Sequence, residues 1–170
     1  MCHLALNKRK VIEPQKGYSL IEMVVVIFII VILFGLGIAN YRDYSRRRAL
    51  HNLVQEIKSD FRLAQEYALS GRKPATCDVL RGFAIHRTGA EAYRFEAVCS
   101  NGYHNVGDSK SLPTDFIIFI SSPTPNRVVF RVLGRGVDTG VDIRVRVRDT
   151  IENVNKDFYV SSSGEIYDGP

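Results

Sequence analysis

No serine, histidine and carboxylate set can be assembled from this chain. Its four histidines are scattered, and nucleophilic catalysis needs a base oriented within reach of the nucleophile. Three cysteines are too few for a dense disulfide scaffold, and with His86 and His104 their spacings match no recognised zinc-ligand pattern. There is no Walker-type lysine motif. The stretch Gly134-Arg135-Gly136-Val137-Asp138-Thr139-Gly140 lacks G-x-G-x-x-G spacing, and no helix follows it. Strand-like segments flank it, so it reads as a flexible hairpin connection. Internal repeats and low-complexity tracts are also missing. These absences exclude the usual enzyme, cofactor and metal classes, and no catalytic, cofactor or metal-binding residue is expected.

Charge points nowhere strongly. The formal net charge is +5, but residues 1–17 hold Lys8, Arg9, Lys10 and Lys16 against Glu13 alone, a net of +3. Beyond them 19 basic and 17 acidic residues remain, a net of +2. The basic bias belongs largely to the first 17 residues, and whole-chain charge is weak evidence for a nucleic-acid partner. A length of 170 residues suits one globular domain plus one extended element.

What the chain does have is one long apolar run. Residues 20–39 read LIEMVVVIFIIVILFGLGIA, broken only by Glu22. Twenty helical residues cover about 30 Å, the thickness of a bilayer core, and no face of this segment is amphipathic. A secretory signal would have a shorter apolar region followed by small residues at a cleavage site. Here Asn40, Tyr41 and Arg42 follow instead. Arg42, Arg46, Arg47 and Arg48 nearly balance the basic residues in front, so charge bias alone does not orient the segment. These arginines are expected at the interface, against anionic head groups or acidic neighbours.

Gly17-Tyr18-Ser19-Leu20-Ile21-Glu22 resembles the prepilin processing site: a basic leader ending in glycine, then a hydrophobic stretch with glutamate fifth. The resemblance implies that a prepilin peptidase cuts between Gly17 and Tyr18 and methylates the new amine of Tyr18. It also implies that Glu22 serves filament assembly by pairing with a neighbouring subunit's N-terminal amine. A carboxylate inside an apolar run is costly and marks function. Tyr18 stands where the family most often has Phe, and Ala39 where major pilins often carry a kinking Pro.

After Ala39 the pattern turns amphipathic. Leu50, Leu53, Val54, Ile57, Phe61, Ala64 and Ala68 recur at three- and four-residue spacing on one stripe. Asn52, Gln55, Glu56, Lys58, Ser59, Asp60, Arg62 and Glu66 take the rest. Ser70-Gly71 and Pro74 stop the helix. Strands are expected over 82–86, 93–99, 116–121, 128–133, 143–148 and 158–162, from their β-branched and aromatic content. Residues 88–89, 100–113, 122–126 and 134–140 read as turns. The fold class is α+β: a long N-terminal helix, with a transmembrane half (20–39) and an amphipathic half, packed on a mostly antiparallel β-sheet head. The divisions are leader 1–17, helix 18–70 and head 71–170.

The processing site, the segment Phe61-Arg62-Leu63-Ala64-Gln65-Glu66-Tyr67-Ala68, a cysteine soon after it and Ser163-Gly164 near the end resemble the GspH/FimT family of minor pseudopilins and minor pilins. That resemblance implies a structural subunit of a type II secretion or type IV pilus filament. Its partners would be other pilin subunits, prepilin peptidase and inner-membrane lipids. It would sit as a single-pass inner-membrane protein with a periplasmic or extracellular head. In that compartment Cys77 and Cys99 are a candidate disulfide. Arg144, Arg146 and Arg148 alternate with valines and project from one strand face. If that strand pairs with the one carrying Arg127, Arg131 and Arg135, the surface could contact DNA; a solvated face, or one meeting acidic neighbours in the filament, is the favoured reading of these residues. DNA-binding relatives carry a Gly-Arg-x-Arg element near the C-terminus, where this chain reads Gly164-Glu165-Ile166-Tyr167-Asp168. An unprocessed single-pass membrane adaptor is the remaining alternative.

Overall fold

A computed structural model describes residues 17–121, 123, 126–134 and 136–169, with the side chains of residues 36–40 excepted. The expected leader through residue 16, and Arg135, lie outside the described residues. Helix α1 spans Leu20–Ser70. The chain divides within it into two compact units, Met1–Tyr44 and Ser45–Pro170.

In the first unit the described apolar side chains from Leu20 to Phe34 are all exposed. Among the described residues no helix is long and apolar enough to cross a membrane. Residues 20–35, the apolar stretch whose side chains are described, come to about 24 Å at 1.5 Å per residue, against about 30 Å for a bilayer core. The rest of the expected span, 36–39, lies outside the described side chains.

In the second unit the helix meets two antiparallel sheets. The first sheet contains β1 (Leu80–Arg87), β2 (Ala92–Cys99), β3 (Gly102–Asn105), β4 (Lys110–Ser111) and β6 (Arg127–Arg131). Its order is β3-β2-β1-β6, with β4 also pairing β2. The second contains β5 (Phe116–Ser121), β7 (Ile143–Asp149), β8 (Asn155–Val160) and β9 (Ile166–Asp168) in the order β5-β7-β8-β9. Leu50, Val54, Ile57, Phe61, Ala64 and Ala68 are buried, which is the 3.6-residue stripe turned inward. Leu53 packs only partly against the core. Phe61 makes edge-on contacts with Phe130 of β6 and Phe158 of β8, at centroid separations of 6.4 and 5.3 Å. One ring thus joins the helix to both sheets. Gly71, at φ 60°, ends the helix in the left-handed conformation glycine tolerates best.

Three expectations are corrected. Residues 100–113 hold β3 and β4, short polar strands that exist only through pairing with β2. The strand expected over 128–133 stops at Arg131 and gives way to a 3-10 turn, Val132–Gly134. β6 and β7 are not joined as a hairpin: after β6 the chain folds back to an antiparallel bridge between Phe130 and Val137 and then passes to β7 in the other sheet. Gly136 and Val137 are held by backbone bonds on both sides. Arg131 N–H donates to Gly136 O at 2.9 Å, Val137 N–H donates to Ser162 O at 3.1 Å, and Val137 is buried. A Cβ on Gly136 would lie 2.2 Å from Ser162 O, so the backbones touch only because the residue is glycine.

Candidate functional site

Two regions carry the candidate residues, one in each unit. In the first, Gly17, Tyr18 and Ser19 precede the helix, and Tyr18 is exposed. Ser19 O accepts from the backbone N–H groups of Glu22 (3.0 Å) and Met23 (3.2 Å), which places Ser19 at the N-cap. Glu22 therefore sits in the first turn, where the helix dipole favours a carboxylate. Behind it extends an apolar surface that no other described residue covers, and an exposed patch of that kind marks a membrane or subunit contact.

In the second unit, buried charges fasten the helix to the sheets. Lys58 and Asp60, expected on the solvent side, are both buried. Lys58 pairs with Asp168 of β9 and lies 5.8 Å from the Phe158 ring centroid. Asp60 accepts hydrogen bonds from Tyr93 O–H and, at 2.7 Å, from Lys110 Nζ. Burial, and then Asp60, push the Tyr93 phenol well above its ordinary range. Arg46 is also corrected: it does not reach outward as an interfacial cation but donates to Asp149 through Nε (3.2 Å) and Nη2 (3.1 Å). Its Nη2 further contacts Asp115 at 3.4 Å. Burial alone would raise the Asp149 carboxyl. Arg46 and the backbone N–H groups of Glu152 and Ile151 outweigh it and hold the group below its usual value. A carboxyl depressed in the folded state stabilises above its unfolded pKa, and that gain is lost as pH falls through the folded value. Replacing Arg46 with alanine removes the main depressing partner. The acid-unfolding midpoint of the variant is accordingly expected to rise, as followed by circular dichroism during acid titration.

A third buried carboxylate lies on the outer face of the first sheet. Glu96 is wholly buried and accepts from Arg94 Nε (2.8 Å), Arg127 Nε (3.0 Å) and the His86 Nδ1 position (2.8 Å). Arg127 also stacks 4.4 Å over the Tyr103 ring. Arg131 pairs with Asp138 at 2.7 Å. Arg127 and Arg131 are thus engaged on the first sheet, where β6 pairs β1. They do not join the β7 arginines in one cationic surface.

Arg144, Arg146 and Arg148 do share the outer face of β7, opposite the buried Val145 and Val147. Each heads a row across the sheet. Arg144 lies between Ser121 and Tyr159, Arg146 between Phe119 and Asp157, and Arg148 between Ile117 and Asn155. Arg146 donates two parallel bonds of 2.8 Å to Asp157, and this fork, ahead of burial, holds the Asp157 carboxyl below its usual value. Arg148 donates to the Asn153 side-chain oxygen. The sequence reading missed Asp157 and Phe119 here. The alternation of Asn155, Asp157 and Tyr159 was a usable signal for the first of them. Cys77 and Cys99 form a disulfide, with Cα atoms 5.6 Å apart, tying the segment after α1 to the end of β2. Among the described residues no cluster of three His, Cys, Asp or Glu is placed to hold a metal.

The chain combines an apolar helix with a carboxylate in its first turn and a second half packed on two antiparallel sheets. Residues 14–38 match the prokaryotic N-terminal methylation motif. The chain is similar to prepilin peptidase-dependent protein D of Escherichia coli (strain K12), at 42% identity over 67 residues, which is 39% of this chain and 45% of that protein. It is similar also to a fimbrial protein of Pseudomonas aeruginosa, at 34% identity over 61 residues, or 36% and 40% of the two chains. The chain thus spans less than half the length of these curated relatives. Its fold matches the crystal structure of the type IV minor pilin FimU of Pseudomonas aeruginosa, with a TM-score of 0.57 over 75% of this chain and 92% of that one, at 11% identity.

Proposed function

We propose that this chain is a minor pilin or pseudopilin, a structural subunit of a type IV pilus or type II secretion filament. Prepilin peptidase cuts its leader after Gly17 and methylates the amine of Tyr18. The 20–39 segment holds the subunit in the inner membrane, with the head on the periplasmic or extracellular side, until it packs against other subunits. The observation that carries this reading is the uncovered apolar helix with Glu22 in its first turn, inside the stretch that matches the methylation motif. An apolar surface of that kind needs lipid or neighbouring helices around it, and Glu22 among them needs a positive partner. The Cys77–Cys99 disulfide suits an oxidising compartment.

The reading as a DNA-uptake subunit keeps Arg144, Arg146 and Arg148 but is without the contribution of Arg127 and Arg131, which lie on the other sheet. An unprocessed membrane adaptor would keep its leader, and that separates it from the filament subunit. Co-expression with a prepilin peptidase, followed by mass measurement of the N-terminal peptide, is expected to give a chain beginning at N-methylated Tyr18. Gly17→Leu is expected to abolish the cut, because a bulky side chain before the bond blocks close backbone approach. An intact leader under conditions that process a control prepilin would overturn the proposal.

A further inference from the structure

The outer face of the second sheet holds a cavity of about 270 Å³ lined by Phe119, Ser121, Arg144, Arg146, Arg148 and Asn155. Its lining carries three guanidiniums and no carboxylate. Arg87 adds a fourth cation above Phe119, 5.6 Å from the ring centroid, and its Nε is buried without a hydrogen-bond partner. Arg146 is matched by Asp157, while the contact formed by Arg148 is to a neutral amide. The cavity is therefore built of donors with an excess of positive charge.

We infer that this cavity is a docking site for an extended acidic protein segment with carboxylates at alternating positions. Alternate residues of a strand repeat every 6.6–6.8 Å or so, so carboxylates spaced i, i+2 on the incoming segment match the guanidiniums of Arg144, Arg146 and Arg148. The face already accepts one carboxylate in this manner, since Asp157 meets Arg146 through two parallel bonds, the geometry that makes arginine selective for carboxylates. Phe119 gives the segment an apolar floor between the charges. A long polyanion fits less well. Beside the cavity the surface continues into a depression lined by Arg146, Lys156, Asp157 and Asp168, where two carboxylates balance two cations and a strand of phosphates extending past β7 meets no excess of positive charge. The favoured occupant is thus short, acidic and extended, as a loop or edge strand of another subunit would be. The site lies within the head and does not require the leader to be cut.

The test uses the full chain in detergent micelles and a fluorescent hexapeptide with aspartate at alternating positions, read by anisotropy at low ionic strength. Saturable binding is expected, weakened tenfold or more by the double substitution R144Q/R148Q and strengthened several-fold by Asp157→Asn, which frees Arg146. A peptide of the same composition with its aspartates adjacent is expected to bind more weakly. The gain on Asp157→Asn is a result that a misfolded variant could not produce. Absence of saturable binding, or binding indifferent to R144Q/R148Q, would overturn the inference. So would tighter, arginine-dependent binding of a single-stranded oligonucleotide of equal charge, which would assign the face to nucleic acid.

Discussion

Replacing Phe61 with alanine is expected to remove about 3–5 kcal/mol of stability, the range for a buried phenylalanine truncated in a core. Phe61 is wholly buried at the meeting of α1, β6 and β8. Its loss opens a cavity that neither sheet can fill alone, because Phe130 and Phe158 come from different sheets. Each edge-on ring contact adds about 0.5–1.5 kcal/mol beyond area burial, which places the effect towards the upper end. Against a typical total of about 5–15 kcal/mol for a domain, that is about a fifth of the stability or more. Denaturant unfolding of the full chain in micelles would read it as a lowered midpoint with an unchanged slope. Phe61→Leu keeps most of the volume and is expected to cost less. A loss under about 1 kcal/mol for the alanine variant would mean that the helix does not bind the two sheets together through this ring.

Glu96→Ala is expected to be the second severe change. It leaves Arg94, Arg127 and His86 converging on an empty position at the first sheet. Breaking a buried ion pair costs about 3–5 kcal/mol; the three partners here are partly exposed, which lowers the expectation to about 2–4 kcal/mol. Burial of Glu96 works to raise its pKa, but hydrogen bonds from Arg127, His86 and Arg94 prevail and hold it below the ordinary 4.5. The stabilisation is therefore complete above pH 4.5 and is lost as pH falls through the lower folded value. Asp149, Asp157 and Asp168 are shifted in the same direction. Unfolding free energy measured from pH 7 to pH 3 is expected to fall steeply below 4.5 in the parent chain. Glu96→Gln should flatten part of that fall and leave the slope from the three aspartates. An unchanged pH profile in Glu96→Gln would remove the cluster from the acid response.

Much of the architecture is legible because single elements report their own burial. The stripe from Leu50 to Ala68 is set by a period of 3.6 residues, and the face it marks is the one the sheets cover. The strands over 116–121 and 143–148 are rich enough in β-branched residues to stand out before any partner is known. β3 and β4 carry no such signal. Gly-Tyr-His-Asn and Lys-Ser become strands only because β2 offers them backbone hydrogen bonds.

The charged residues divide along the same line. By itself the sequence determined the stretch around Gly17 and Tyr18 that matches the methylation motif, the apolar run broken only by Glu22, and the alternation that puts three arginines on one face. Each of these is a local pattern of spacing and type along the chain. Only the tertiary structure decided that Arg46, Lys58 and Asp60 turn inward, that Glu96 is buried between two arginines and His86, and that β6 and β7 belong to different sheets. A charge enters a core only when a partner distant in sequence meets it there, as Asp149 meets Arg46 across 103 residues. Strand order likewise depends on which edges come together, and no single segment carries that information.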